Sequence, residues 1–156
     1  KIHLFDVDLP DGTKLLESET VEAGSEPVVA EAPFGTLGLS VCYDLRFPEL
    51  YRRLVDAGAI ALAIPAAFTL TTGKDHWHVL LRARAIEQQC YVLAAAQTGH
   101  HYGKRRSYGH ALIADPWGTV LAECGEGEGV AVAEIDPAYV KQVRAAVPSL
   151  AHRTLR

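Results

Sequence analysis

The residue best suited to chemistry is Cys42, which lies where a buried strand gives way to a helix. Apolar and small residues alternate through residues 36–44, which predicts a strand covered on both faces. A helical pattern follows over residues 47–57, with Pro48 in its first turn. Ligands of open α/β sheets bind beyond the carboxyl ends of strands, and a thiol before a helix N-terminus has a lowered pKa. Cys42 is therefore the candidate nucleophile, and the backbone N–H of Tyr43 is a natural donor to an oxyanion.

Sequence position alone leaves other interpretations of the thiols open. A free cysteine more often behaves as a small buried apolar side chain than as a nucleophile. Cys90 ends a helical pattern and Cys124 follows a strand, so we interpret both as structural. A Cys–His dyad that uses His110 or His3 stays open, because the members of a dyad need not be close in sequence.

The polar residues around the candidate nucleophile have a structural interpretation. Asp44, Arg46 and Glu49 follow Cys42 closely, and we interpret them as an ion-paired scaffold that fixes the turn rather than as catalytic groups. His76 and His78 lie two residues apart on a predicted helix, so they face different ways and do not match the spacing of a zinc site. We expect no metal and no cofactor.

Composition places the chain among ordinary globular domains. Its 156 residues include 49% hydrophobic and 22% charged residues, with a formal net charge of -4. The negative charge argues against a nucleic-acid partner, and no apolar run is long enough to predict a membrane span. Three widely spaced cysteines do not form a disulfide framework, which predicts a cytoplasmic protein. The absence of methionine leads us to expect that these residues belong to a longer chain.

Periodicity predicts an α/β fold. The order strand–helix–strand–helix–strand requires parallel pairing through crossover helices, and the last strands read as a hairpin joined by a turn at Asp115–Gly118. The further predicted elements are a strand over 60–65, a loop over 68–74, a helix that starts at Asp75 and runs to about 89, a strand over 91–96, a loop over 98–106, strands over 110–114, 119–123 and 129–136, and a helix over 137–146.

Two motifs resemble one family. Residues 41–49 read VCYDLRFPE, which is similar to the nucleophile motif of the carbon–nitrogen hydrolases, the nitrilase superfamily. Residues 1–6 read KIHLFD and resemble the lysine motif of the same superfamily, at the family's separation from Cys42. The likeness continues through residues 67–87 and 115–118, so it covers essentially the whole chain.

The resemblance implies a fold and a catalytic set. It implies that residues 1–156 form the C-terminal part of a carbon–nitrogen hydrolase domain, an α-β-β-α sandwich with one sheet incomplete and its edges exposed. The catalytic set is Glu–Lys–Cys: Lys1 matches the lysine that stabilises the oxyanion and Cys42 the nucleophile, whereas the general-base glutamate lies upstream and outside these residues. Glu17 matches a second glutamate that positions the lysine and substrate.

Within the superfamily, the sequence is similar to amidases that act on small carboxylate-bearing amides. Residues 80–99 look most like deaminated glutathione amidases, which implies hydrolysis of deaminated glutathione to 2-oxoglutarate and cysteinylglycine through a thioester. Residues 70–73 look like those of omega-amidases, so release of ammonia from 2-oxoglutaramate is the alternative, and a non-catalytic scaffold protein is a third interpretation. The resemblance also implies a homodimer or higher homo-oligomer. Candidate residues for binding the substrate are Phe68, Thr72, Lys104, Arg105 and Tyr108.

Overall fold

The secondary structure alternates short strands with three α-helices in the part of the chain that is described. The computed structural model describes residues 1–8, 12, 14–103 and 105–155. The strands are β1 (Asp6–Asp8), β2 (Lys14–Leu16), β3 (Val28–Ala32), β4 (Gly35–Leu39), β5 (Ala61–Ala63), β6 (Tyr91–Ala94), β7 (Thr98–His100), β8 (Arg106–Tyr108), β9 (Leu112–Ala114) and β10 (Val120–Glu123). The helices are α1 (Pro48–Asp56), α2 (Leu70–Gln88) and α3 (Pro137–Ala146), and short 3-10 helices cover Glu17–Glu19 and Cys42–Arg46.

The described strands form one six-stranded mixed sheet and two small antiparallel ribbons. The sheet has the order β10-β9-β6-β5-β4-β3, and β1-β2 and β7-β8 form the ribbons. Strands β4, β5 and β6 are parallel and are joined through α1 and α2, which confirms the predicted crossovers. Strands β9 and β10 pair antiparallel, which confirms the predicted hairpin.

The main core lies between one sheet face and the two crossover helices. Leu54 of α1 and Trp77 of α2 are fully buried in one cluster with Leu62 and Val92 of the sheet. Leu62 and Val92 are neighbours in the register of β5 and β6, so their side chains leave the sheet on the same face. Burial of large apolar side chains at about 1.5–3 kcal/mol each makes this packing the main source of stability.

The opposite sheet face is only partly covered. Val140 of α3 packs there against Ala61 and Tyr91, while Val28 and Leu39 are exposed. An apolar sheet face that is open at one end agrees with the prediction of a partial sandwich. None of the described helices combines the length and the apolar character needed to cross a bilayer.

The strand predicted over 36–44 ends earlier than expected. Strand β4 stops at Leu39, although the backbone of Ser40 still donates to Ala63 O at 3.1 Å and that of Cys42 to Pro65 O at 2.8 Å. Cys42 then adopts φ 52°, which ends the extended conformation and begins a 3-10 helix. The alternating pattern did not reveal this turn, because small and apolar residues fit both conformations.

The loop predicted over 68–74 is wrong, because α2 begins at Leu70 with Thr69 as its N-cap. Gly73 is a loop signal in isolation, but here it is buried in the first turn against the side chain of Tyr108. Asp75, the predicted cap, lies inside the helix and is exposed. Tertiary packing therefore overrides the local signals.

Two further predictions of local structure are also wrong. The segment 98–106 is not a plain loop, since it contains β7 and the first residue of β8. Residues 129–136 pair with no described strand, and Val130 and Val132 are 88% and 80% exposed. An alternating pattern becomes a strand only where a partner edge is available.

Replacing Gly73 with alanine tests the contact between α2 and the β7–β8 ribbon. An added Cβ at Gly73 would meet Tyr108 Cβ at 2.4 Å, so backbone must shift. We expect Gly73→Ala to destabilise the protein by roughly 1–3 kcal/mol, although alanine favours a helix by about 1 kcal/mol. Urea unfolding measures this, with Gly125→Ala as the control, because an added Cβ there meets nothing within 4 Å. Equal stabilities of the two variants would contradict the contact.

Candidate active site

Cys42 lies at the carboxyl end of the parallel strands, in a strained backbone conformation. Its φ of 52° is in the left-handed region, which a non-glycine residue rarely adopts. Such strain costs on the order of 1 kcal/mol or more and persists only where surrounding contacts enforce it. One contact that enforces it is the hydrogen bond from Cys42 N to Pro65 O.

The carboxylate of Asp44 joins the turn at Cys42 to the first residues of the chain. Asp44 is 1% exposed, and its Oδ2 accepts from Val41 N at 2.9 Å. Its Oδ1 accepts from His3 N at 2.8 Å and from Ile2 N at 3.3 Å, and His3 Nδ1 lies 2.9 Å away. Asp44 is therefore a scaffold residue as predicted, but its partners are backbone N–H groups and a histidine rather than an arginine.

Aromatic rings strengthen the same junction. The His3 ring stacks on Phe47 with centroids 3.6 Å apart, and Tyr43 packs edge-on against Phe47 at 5.2 Å and Phe5 at 4.8 Å. These contacts place the segment that carries Lys1 beside the turn that carries Cys42.

Lys1 and Glu17 form an ion pair next to the candidate nucleophile. Lys1 Nζ donates to Glu17 Oε2, and the same oxygen accepts from Phe5 N at 2.7 Å. The Lys1 side chain is largely buried at 10% exposure, so a compensating carboxylate is needed. Glu17 thus holds the ammonium group in place, in line with the positioning role that the resemblance implies for it.

A cavity of about 740 Å³ brings these residues together. Cys42 lines it with Lys1 and Glu17, and its floor comes from the segments 65–67 and 95–97, which follow β5 and β6. The carboxyl ends of three parallel strands thus converge on one cavity, where ligands of α/β sheets bind.

The environment of Cys42 changes the pKa of its thiol. Burial raises this pKa most, while hydrogen bonds from the backbone N–H groups of Ala67 and Tyr43 and the charge of Lys1 lower it. The carboxylate of Glu17 raises it. The donors that favour a thiolate are also those that would stabilise an oxyanion next to it.

A narrower cleft on another side of Cys42 contains the two predicted substrate contacts. Phe68 and Thr72 line it together with Arg46, whose guanidinium lies 5.2 Å from the centre of the Phe68 ring. The sequence interpretation of Arg46 as part of an ion-paired scaffold is wrong in the described part of the chain, where Arg46 contacts His76 Nδ1 at 3.3 Å and no carboxylate. In the sequence, only its position four residues after Cys42 indicated that Arg46 could lie beside the candidate nucleophile.

The other candidate binding residues lie in different places. Arg105 lines the large cavity with Tyr102, whereas Tyr108 lines neither space beside Cys42 and packs against Gly73. Lys104 lies outside the described residues.

Neither histidine proposed for a dyad bonds to Cys42. His3 is held by Asp44, and His110 Nδ1 lies 2.9 Å from Glu123 Oε1. His78 Nε2 approaches the same oxygen at 2.8 Å, so these three side chains are the group within the described ranges that could hold a metal ion. Hydrogen bonds already account for their arrangement, which ties α2 to β10.

Residues 1–145 match the Carbon-nitrogen hydrolase family. The chain belongs to this family. The predicted resemblance is thereby confirmed, and the open sheet face is that of a carbon–nitrogen hydrolase domain represented in part.

Individual relatives agree with this assignment. The deaminated glutathione amidase of Synechocystis sp. is 61% identical over 155 residues, which cover 98% of this carbon–nitrogen hydrolase chain and 57% of that protein. The crystal structure of the Caenorhabditis elegans NitFhit protein matches with a TM-score of 0.92 and 53% identity over 99% of the chain and 38% of that protein. Saccharomyces cerevisiae Nit3, a member of branch 10 of the nitrilase superfamily, matches with a TM-score of 0.83 and 36% identity over 93% of the chain and 57% of that protein. The chain thus spans about half the length of such relatives.

The opposing charges beside Cys42 predict opposite shifts in its alkylation by iodoacetamide. The thiolate is the reactive form, and because burial raises the pKa of Cys42, the rate should rise mainly at alkaline pH. Lys1→Met removes a charge that lowers this pKa, so the pH profile should move upward; Glu17→Gln removes a charge that raises it, so the profile should move downward. Site-resolved mass spectrometry of labelled protein measures each profile.

Two internal controls accompany this experiment. Burial raises the pKa of Cys90 to about 12, so Cys90 should label slowly throughout in folded protein. Glu22→Gln removes an exposed charge outside the cavity and should leave the Cys42 profile in place. Shifts of the same sign in Lys1→Met and Glu17→Gln would show that these charges do not act on Cys42.

Proposed function

We propose that this chain supplies the nucleophile and the oxyanion donors of an amidase that hydrolyses deaminated glutathione to 2-oxoglutarate and cysteinylglycine. The observation that carries the proposal is the convergence of Cys42, Lys1 and Glu17 on one cavity at the strand ends. A thiolate beside a held ammonium group is suited to amides, whose carbonyl carbon is a poor electrophile.

The residues support a two-step mechanism. Cys42 Sγ attacks the amide carbon, and the oxyanion of the tetrahedral intermediate lies between Lys1 Nζ and Tyr43 N–H, each worth on the order of 3–4 kcal/mol. Collapse of the intermediate expels the amine and leaves a thioester on Cys42. Water then attacks the thioester, and a second tetrahedral intermediate releases the acid and the thiol.

Proton transfer requires a further group. We propose that residues 1–156 are the C-terminal part of the domain and that a glutamate upstream of Lys1 is the general base, as the family resemblance implies. It would take the proton of the Cys42 thiol, give it to the leaving amine and activate the water. In this scheme Glu17 is a positioning residue that fixes Lys1 through its ion pair.

The choice of substrate rests on charge and on relatives. Arg46 is a cation without a carboxylate partner among the described side chains, and it lies beside Cys42 with Thr72, where it can bind the carboxylate of a 2-oxo acid. Burial lowers the pKa of Arg46, but a guanidinium stays charged at neutral pH. The Synechocystis sp. relative at 61% identity is named deaminated glutathione amidase, which favours this substrate over 2-oxoglutaramate.

We further propose that the protein forms a homo-oligomer in a reducing compartment. Val79 and Ile86 are exposed apolar residues of α2, and Ile86 lies against Gly118, next to exposed Trp117. Such exposed apolar residues favour a homodimer or higher homo-oligomer. The three cysteines are free within the described structure, which favours a reducing compartment such as the cytoplasm.

Rates on two amides separate the proposed substrate from the omega-amidase alternative. We expect the full-length protein to turn over deaminated glutathione with a kcat/KM at least about tenfold above that for 2-oxoglutaramate, because the larger amide makes more contacts in the transition state. Coupled assays of 2-oxoglutarate release measure both. The opposite preference would make the protein an omega-amidase, and turnover of neither would favour the scaffold interpretation.

Two substitutions test the assigned chemistry. Cys42→Ala should abolish turnover while thermal unfolding stays cooperative, since the side chain is small and its loss leaves the hydrogen bonds of the turn intact. Lys1→Met should lower kcat by roughly 10²–10³, the usual effect of losing an oxyanion donor. A Lys1→Met variant that changes KM alone would show that Lys1 binds substrate instead.

A further inference from the structure

The large cavity is lined by an arginine other than Arg46, which the proposed mechanism does not use. Arg105 and Tyr102 line the cavity that also contains Cys42. Arg105 Nη1 donates to Tyr102 Oη at 2.9 Å, and the guanidinium lies 5.5 Å from the centre of the Tyr102 ring. One edge of the guanidinium is thereby oriented while its other N–H groups are available.

The charge of Arg105 is not neutralised within the described structure. No described carboxylate lies within salt-bridge distance of it. The other cation of the cavity, Lys1, is already paired with Glu17. Arg105 is therefore a cation of this cavity whose charge is available to a carboxylate of a ligand.

The backbone around Arg105 is held in place. Arg105 N donates to Tyr102 O at 2.9 Å, and His101 N donates to Arg105 O at 3.0 Å. The ribbon that carries them is fixed to the start of α2, since Thr69 bridges to Ser107. A guanidinium on such a support binds a carboxylate with a smaller loss of conformational entropy than one on an unsupported loop.

The two unpaired arginines lie in different spaces that both include Cys42. Arg46 lines the narrow cleft with Phe68 and Thr72, and Arg105 lines the large cavity. A scissile amide at Cys42 has an acyl part on one side and a leaving group on the other. Cations in two spaces that both include the nucleophile fit an amide with a carboxylate at each end.

We propose that Arg105, supported by Tyr102, forms a leaving-group subsite that binds the terminal carboxylate of a departing dipeptide. This inference rests on the proposed function and specifies which half of the substrate each arginine recognises. A dipeptide spans at most about 7 Å when extended, and the cavity of about 740 Å³ has room for it. The acyl part then extends from Cys42 toward Arg46, on the side of the narrower cleft, which itself holds only about 10 Å³. A leaving group of ammonia makes no use of Arg105, so this subsite selects for the larger amide.

The experiment removes the carboxylate from the substrate and the cation from the protein in turn. The full-length protein would be assayed on deaminated glutathione, on its C-terminal amide and on 2-oxoglutaramate. The wild type should prefer the free acid over the C-terminal amide by roughly tenfold to a hundredfold in kcat/KM, mainly through KM. Arg105→Gln should bring this preference close to one, Arg105→Lys should retain part of it, and Tyr102→Phe should lower it to an intermediate value.

Matched controls and inhibition complete the test. Arg106→Gln changes an exposed neighbour on the same ribbon that does not line the cavity, and it should keep the wild-type preference. Cysteinylglycine should inhibit the wild type about tenfold more strongly than the C-terminal amide of cysteinylglycine does. This comparison uses only the wild-type protein, so it does not depend on whether a variant folds.

The outcomes separate the two proposals. Equal rates on the free acid and its amide in the wild type, or equal losses on both in Arg105→Gln, would overturn the subsite while leaving the amidase proposal intact. A wild type that hydrolyses none of the three amides would overturn the proposed function itself.

Discussion

The carboxylate of Asp44 is the interaction on which the site depends most. It accepts backbone N–H groups from the turn at Cys42 and from the segment that follows Lys1, so one buried anion fixes the two parts relative to each other. These segments are far apart in sequence and share no strand pairing. An anion that accepts several donors is a strong constraint, because removing it would leave buried N–H groups unsatisfied at about 1–3 kcal/mol each.

The rest of the cavity follows from the parallel strands. Each of β4, β5 and β6 ends at the same edge of the sheet, and the residues that follow them supply Cys42, the segment 65–67 and the segment 95–97. The crossover helices α1 and α2 pack against one face of the sheet, so they do not cover the edge at which these strands end. The geometry of the site is thus a consequence of the parallel crossover connections rather than of any single loop.

The sequence predicted the parts of the fold that local pattern determines. The parallel core, the helix at Pro48–Asp56, the β9–β10 hairpin and α3 were all predicted from periodicity and turn residues. The start of α2 was not predicted, because a glycine such as Gly73 usually indicates a loop. Its packing against Tyr108, which is distant in sequence, cannot be read from local pattern. The absence of a strand at 129–136 has a similar cause, since alternation says nothing about whether a partner edge exists.

For the candidate site too, the sequence predicted the residues but not their tertiary contacts. Cys42, Lys1 and Glu17 were singled out through motif resemblance, and the structure adds the contacts that join them. The exposure of Arg46 to the cleft was not predicted, and Arg105 was one of several candidates for binding the substrate, because a cation four residues from a thiol or on a basic loop is most often solvated or paired. Only the three-dimensional arrangement reveals that neither has a carboxylate partner in the described region.

The left-handed backbone at Cys42 has a consequence for what the position tolerates. Glycine is the residue that adopts φ 52° without steric cost, so the demands of stability and of reactivity at this one site favour different amino acids. A protein that kept the fold only to bind partners would relieve this backbone strain by exchanging the whole Cys42 side chain for a hydrogen atom. A cysteine at this position therefore has a local cost in stability, which a reactive thiol would require and a passive scaffold would not.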